Sequence, residues 1–425
     1  MGRTITPQDC HAIMNSLVKQ ATGQTNILVT DTSSFVSAGE TVLATGMENV
    51  INSLSIICGR TYMAVRPYEA RLRILNSINS GMYSNRLRKI SYYSKDAKPS
   101  GYFNTDLNTN LGMGKTNGRN NKNTSGDATS TPSMWEQEPP IPLEMNFAGT
   151  STWQDVQTLY EDQLKVAFLN ETNFAQFLNG FLTEKSNDIE SQKEAFNTMT
   201  LLNYIGGIYD MSADMPGSVI NLTKEFNDKF GTSYTSAELR STYLKDFLAF
   251  FVATVKKATK RMTERSTAYH WSPAKNVNGV DYKLLRHTPF SEQRLILYSD
   301  LFTDAESLVL PEIFNDDLLK LENYEAVTFW QSNDTEADRP KVSITPAIPD
   351  KTTGQQKKGP AVSLDYVVGL LYDKDACMID YQLDKALTTP VEARKGYRNI
   401  WYTFAKNSIN DFTEKGILFI MKDAE

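Results

Sequence analysis

From Glu171 to about Tyr204, apolar side chains recur at helical spacing. Phe174, Phe177, Leu178, Phe181 and Leu182 follow the i, i+3, i+4, i+7, i+8 pattern, and Ile189, Phe196 and Met199 carry the stripe on. The pair Gly206-Gly207 then reads as the stop. Such a helix far exceeds the roughly 11–12 residues of an average one. A lone helix of that span must lie across a surface or act as a strut, and this restricts the folds open to the chain.

The segment ahead of this helix predicts a finger. Residues 60–98 hold nine basic residues against Glu69 and Asp96 alone, and Arg86–Ser94 (RLRKISYYS) has strand-like content. Residues 99–133 are almost entirely Gly, Asn, Thr, Ser, Lys and Asp, with almost nothing to bury. Met134–Phe147 turns extended again, its prolines confining it to an edge or arm. A strand out, a polar tip and a strand back make a long two-stranded finger. Before it, residues 1–40 read as an arm with a helical pattern around Ala12–Lys19, and 41–58 as a helix ending at Gly59.

After the long helix the pattern alternates. Thr235-Ser236-Ala237-Glu238 is a capping box that opens a single helix running to about Met262. Arg294–Phe302 is a buried-strand candidate, Glu306–Leu321 is helical, and Ala326–Trp330 is a short strand. Residues 331–360 read as a polar loop. Tyr366–Asp373 and Cys377–Leu383 read as strands paired with each other, and the segment from Arg398 to Met421 as two long final strands.

With 425 residues and 40% hydrophobic content, two packed lobes with inserted loops are expected. The net charge of -6 makes a dedicated nucleic-acid binder a poor fit, although the basic stretch 60–98 could touch phosphate. Three scattered cysteines suit a reducing compartment, and no stretch approaches the roughly 18 apolar residues of a membrane span. The first residues lack the apolar run of a secretion signal.

The candidate chemistry is thin. Gly112–Thr116 (GMGKT) resembles the end of a phosphate loop, but Thr109 stands where the first glycine belongs and the flanks are neither strand nor helix. His11, His270 and His287 have no ligand spacing, and the latter two read as surface or interface residues. Residues 300–338 carry eleven acidic residues against Lys320, without a calcium-loop pattern. No catalytic, cofactor or metal site is expected. The opposed charges instead predict contacts between subunits, with Arg86, Arg88 and Lys89 of one copy against Asp316 and Asp317 of the next.

Three stretches carry a resemblance: Leu159–Leu182, the return strand Trp135–Phe147, and Tyr372–Ile420. They are similar to the major capsid proteins of phi-29-type small podophages, and the order of elements resembles the Hong Kong 97-type capsid fold. The resemblance implies an α+β chain with an N-terminal arm (1–59), an extended E-loop β-hairpin (60–160), a P-domain with a spine helix (161–207), an α/β A-domain (208–390) and C-terminal strands returning to the P-domain (391–425). It further implies a virion protein that forms pentamers and hexamers of an icosahedral or prolate shell in the host bacterial cytoplasm. Portal and scaffolding proteins would be its partners. The shell would enclose double-stranded DNA without sequence-specific binding and without a membrane. A tail or portal component, or an α/β enzyme, are the alternative readings; the enzyme lacks a nucleophile elbow, a paired histidine and a glycine-rich turn between strand and helix.

Overall fold

The computed structural model describes residues 7–22, 29–44, 71–80, 86–94, 140–160, 163, 166, 171–303 and 324–423, apart from 31, 73, 274, 278, 279, 302, 352 and 393. Two helices, α1 (Pro7–Thr22) and α2 (Thr32–Ala44), lead into strands β1 (Asn76–Ile78), β2 (Arg86–Tyr92), β3 (Pro142–Ala148) and β4 (Ser151–Tyr160). The long helix α3 (Glu171–Asp210) follows, then β5 (Val219–Asn221), α4 (Leu222–Phe230), α5 (Ser236–Arg240) and α6 (Leu244–Thr263). Next come a small hairpin, β6 (Lys275–Val277) with β7 (Val280–Tyr282), and strands β8 (Gln293–Tyr298) and β9 (Tyr324–Val327). Short strands β10 (Val342–Ile344), β11 (Ala347–Pro349), β12 (Gln356–Lys358) and β13 (Val362–Leu364) precede β14 (Val367–Asp373), β15 (Cys377–Thr388), β16 (Tyr397–Asn410) and β17 (Gly416–Ile420). The chain is α+β, in the expected order of arm, finger, long helix and sheet-bearing lobe.

The helix α3 joins three packing environments. At its start Phe174 meets Phe35 of α2 at 5.6 Å between ring centroids. Its middle backs a four-stranded sheet of order β1-β15-β16-β4, where Ile189 packs with Ile400, Tyr402 and Phe404 of β16. Strand alternation puts those three on one face, toward the helix. The end of α3 covers one face of a five-stranded sheet of order β5-β17-β14-β8-β9, where Tyr204 meets Tyr372. The helix α6 covers the opposite face, Phe251 meeting Phe419 edge to face at 6.0 Å. Every residue of β14 is therefore buried, as expected of a strand covered on both sides.

Four sequence expectations need correction. Gly206-Gly207 does not stop α3, which runs on to Asp210. The glycines serve close packing instead. A Cβ on Gly206 would lie 2.6 Å from Ile344 Cγ2, and one on Gly207 would collide with the Phe412 ring. The capping box forms, with Thr235 and Glu238 bonding reciprocally, but its helix breaks after Arg240 and restarts at Leu244. The break lets Tyr243 stack on Tyr234 at 4.0 Å. Strands β14 and β15 do not pair, because β17 and β8 occupy both edges of β14. The chain turns at Asp373–Ala376 and enters the other sheet, so β16 and β17 also fall in different sheets. The polar stretch 331–360 contains β10, β11 and β12, where a loop was expected. The GMGKT tip, the helix expected at 306–321 and residues 45–58 lie outside the described residues.

Candidate assembly surfaces

Strands β2 and β3 pair in antiparallel register from Arg86 opposite Ala148 to Tyr92 opposite Pro142, forming the base of the expected finger. Alternation sorts the side chains. Arg86, Arg88, Ile90 and Tyr92 face outward and are exposed, while Leu87, Lys89 and Ser91 face the chain. Arg88 pairs with Glu144 across the hairpin at 2.8 Å. The amide of Asn146 donates to the same carboxylate and, with Arg88, holds the Glu144 carboxyl below its ordinary range. Both partners are exposed, so this pair contributes little on its own.

Inward-facing Lys89 reaches the carboxylates of both Asp411 and Glu414. Burial acts to lower the ammonium's pKa, but the two carboxylates outweigh it and raise it. Burial also pushes the Glu414 carboxyl up, against the pull of Lys89 and Arg286. Arg286 completes the cluster, donating to Ser91 Oγ at 2.7 Å and to the Thr413 carbonyl at 3.2 Å. Reciprocal backbone hydrogen bonds of 2.8 Å join Ser94 and Lys283. The finger base is thus clamped to its own chain, which the sequence pattern did not reveal. The acids lie in a turn far downstream, and only the DFTEK composition (Asp411–Lys415) hinted at charge there.

Of the residues expected at subunit contacts, Lys89 is therefore engaged within its chain, Arg88 within the hairpin, and Arg86 is exposed. Asp316 and Asp317 lie outside the described residues. Part of the acidic stretch has local work. Glu325 accepts backbone N–H bonds from Leu72 at 2.5 Å and Ile74 at 3.2 Å, and Asp300 accepts from Tyr298 Oη at 2.7 Å. His270, expected near the surface, is fully buried between the carbonyls of Ala268 and Leu284, and burial lowers its pKa. His287 is exposed, as expected.

A second surface escaped the sequence reading. Val156, Trp401 and Leu387 are direct cross-strand neighbours on the sheet face turned away from α3. They are 41%, 36% and 53% exposed. They form an apolar row across three strands, and β4 is an edge strand of this sheet. The signal was the run Ile400-Trp401-Tyr402, apolar on both faces where a one-sided strand alternates.

Among the described residues, no three His, Cys, Asp or Glu side chains are placed to hold a metal, and no helix is long and apolar enough to cross a membrane.

What the molecule offers is surfaces, and the sequence match agrees with that. Residues 125–418 match the family model described as Phi29-like phage major capsid protein. The chain belongs to this family. It is a capsid chain, a shell protein of a phage head. No curated protein matches it. Similar solved structures include the capsid of Staphylococcus phage Andhra, with 9% identity and a TM-score of 0.49 over 83% of this chain and 84% of that one. A chain in the structure of head fiber and inner core protein gp22 of bacteriophage P68 gives 10% and 0.45 over 83% and 85%. The capsid of cyanophage P-SCSP1u gives 11% and 0.40 over 84% and 90%. The family assignment rests on the sequence match, which takes in the finger's return strand, the long helix and most strands of the two larger sheets.

Proposed function

We propose that the chain is the repeating subunit of a closed head, icosahedral or prolate, whose pentamers and hexamers enclose double-stranded DNA. Its organisation follows the Hong Kong 97 plan, with arm, E-loop, P-domain, A-domain and returning strands at the boundaries expected above. A portal and a scaffolding protein are its assembly partners, and assembly takes place in the bacterial cytoplasm.

One observation carries this reading. The described chain holds an exposed apolar row beside an edge strand, and a two-stranded finger whose outward face combines Arg86 and Arg88 with Ile90 and Tyr92. A solitary protein gains nothing from such faces, whereas a subunit covers them with its neighbours. Arg86 and Arg88 are proposed to meet the acidic stretch around Asp316 and Asp317 of an adjacent copy. Lys89 is reassigned to positioning the finger.

Electron microscopy of the purified protein, with and without a scaffold, tests the reading. Closed shells, tubes or capsomer rings are expected. A compact monomer across wide ranges of concentration and salt would overturn it. Reversing Arg86 and Arg88 to Glu tests the contact. Assembly should slow, its salt sensitivity should fall, and Lys at Asp316 and Asp317 should partly restore the rate.

A further inference from the structure

Helix α6 carries a ridge of cations that the fold does not use. Lys257, Lys260 and Arg261 are exposed and Lys256 half-buried; Lys256 and Lys260 lie opposite the apolar stripe of Phe247, Phe251, Val255, Ala258 and Met262, and Lys257 and Arg261 flank it. None of the four makes an ion pair or side-chain hydrogen bond among the described residues. Glu225 shares a groove with Lys257 and Arg261 but forms no ion pair with them. Like charges at i+3 and i+4 along a helix repel, so the cluster works against the helix that carries it.

The ordinary explanation is that cations near a helix C-terminus offset its dipole and cap its last carbonyls. That position is already taken. Lys415, fully buried, donates from its Nζ to the carbonyls of Met262 at 3.3 Å and Glu264 at 2.6 Å, and to Ser266 Oγ at 3.1 Å. A buried ammonium thus serves the end of α6, and the exposed ridge adds positive charge beyond that need. It does so in a chain whose net charge is -6.

We infer that this ridge is a polyanion-binding surface whose ligand is the phosphate backbone of the enclosed double-stranded DNA. The chemistry fits phosphate. The cations are three lysines and one arginine on flexible stems, gathered within about 7.5 Å along one helix. Such a cluster can neutralise backbone phosphates without reading bases. The inference rests on the head reading and deepens it by fixing which way the subunit faces. The α6 side of the five-stranded sheet lies inside the shell, and the side covered by α3 faces away from the genome.

The test uses the whole chain, unassembled, titrated with a short labelled duplex of arbitrary sequence over a series of salt concentrations. The variant is the four-fold change Lys256→Gln, Lys257→Gln, Lys260→Gln and Arg261→Gln. Its thermal midpoint should equal or exceed that of the original, since repelling neighbours are removed. Duplex binding should weaken, and the slope of log affinity against log salt should flatten by about 3–4, close to 0.9 for each phosphate that is no longer neutralised. The variant should still form shells, with less DNA retained in filled heads. An unchanged slope overturns the inference. So does a variant that binds duplex weakly but no longer assembles, which would make the ridge a contact between subunits, and so does a ridge that prefers poly-glutamate to duplex. Failure of the unmodified chain to form any shell would sink the head reading instead, and the duplex titration does not depend on it.

Discussion

Lys89, on the inward face of β2, is ion-paired with Asp411, 322 positions further along the chain. Glu414 shares the same ammonium. With Arg286 and the Ser94–Lys283 backbone hydrogen bonds, this lysine side chain sets where the finger leaves the body of the subunit. Any neighbour that the finger reaches is reached at an angle fixed by this cluster.

Removing Lys89 leaves two carboxylates facing each other, one of them only 1% exposed. Breaking a buried pair costs about 3–5 kcal/mol. Lys89 itself is 23% exposed, which argues for the lower end. Lys89→Ala should therefore destabilise the subunit by about 3 kcal/mol in urea unfolding. It should also speed proteolysis of the finger. A loss below about 0.5 kcal/mol, the size of an ordinary surface substitution, would show that the cluster does not hold the finger.

At Gly207 two effects oppose one another. In an exposed helix interior, Gly→Ala stabilises by about 1 kcal/mol. Here the new methyl meets the Phe412 ring, itself stacked on Tyr204 at 5.4 Å. Overpacking of this kind costs about 1–3 kcal/mol. Gly207→Ala should be destabilising overall, and Gly231→Ala should be destabilising for a different reason, the left-handed backbone at φ 68°. If Gly207→Ala raised the unfolding midpoint, the helix would not be packed against Phe412.

The glycine pair also shows where a sequence stops being informative. The long helix, with Phe174, Ile189 and Phe196 buried along it, and the paired strands of the finger base are legible because their patterns depend on local periodicity, whereas Met199, expected on the same stripe, is 47% exposed. The capping box at Thr235 could be read because its partners are three residues apart. Gly206-Gly207 looks the same whether it ends a helix or admits Ile344 and Phe412, residues far away in sequence. Adjacency in sequence suggests that strands β14 and β15 pair. Their separation depends on β17 and β8 filling both edges of β14, and no local pattern encodes that. The clamp at Lys89 and the row through Trp401 are likewise products of register.

Lys406 is a buried ammonium without a carboxylate at ion-pair distance among the described residues, set among the rings of Phe196, Tyr381 and Phe404 at 5.8–5.9 Å. Burial, reinforced by Lys193, lowers its pKa to about 8. An unfolded lysine titrates near 10.4. Below pH 8 both states are protonated and the folded state bears the full cost of the buried charge. Between about pH 8 and 10 the unfolded chain holds a proton that the folded chain has shed, so stability rises with pH. Lys406→Met should stabilise the subunit at pH 7 by about 1–3 kcal/mol. The advantage over the unmodified chain should fade by about pH 10. Lys415, also lowered to about 8, titrates equally in both proteins and cancels from the difference. A variant less stable at pH 7 would show that the rings hold the ammonium favourably.

The row of Val156, Trp401 and Leu387 separates folding from assembly. All three point away from the α3-backed core. A charge placed there leaves the interior untouched, so Trp401→Glu should change subunit stability by no more than about 0.5 kcal/mol. On the proposed assembly a neighbour covers the same position, and a buried tryptophan at an interface centre contributes about 2 kcal/mol or more. At about 1.4 kcal/mol per tenfold, the concentration needed for assembly should rise by roughly 30-fold or more. The open edge of β4 beside the row gives a neighbour backbone hydrogen bonds as well as apolar cover. Light scattering against protein concentration reads the assembly threshold, and thermal unfolding of the dilute subunit reads the stability. Assembly of Trp401→Glu at the unmodified threshold would place this face of the sheet against solvent in the finished shell and move the subunit contact elsewhere.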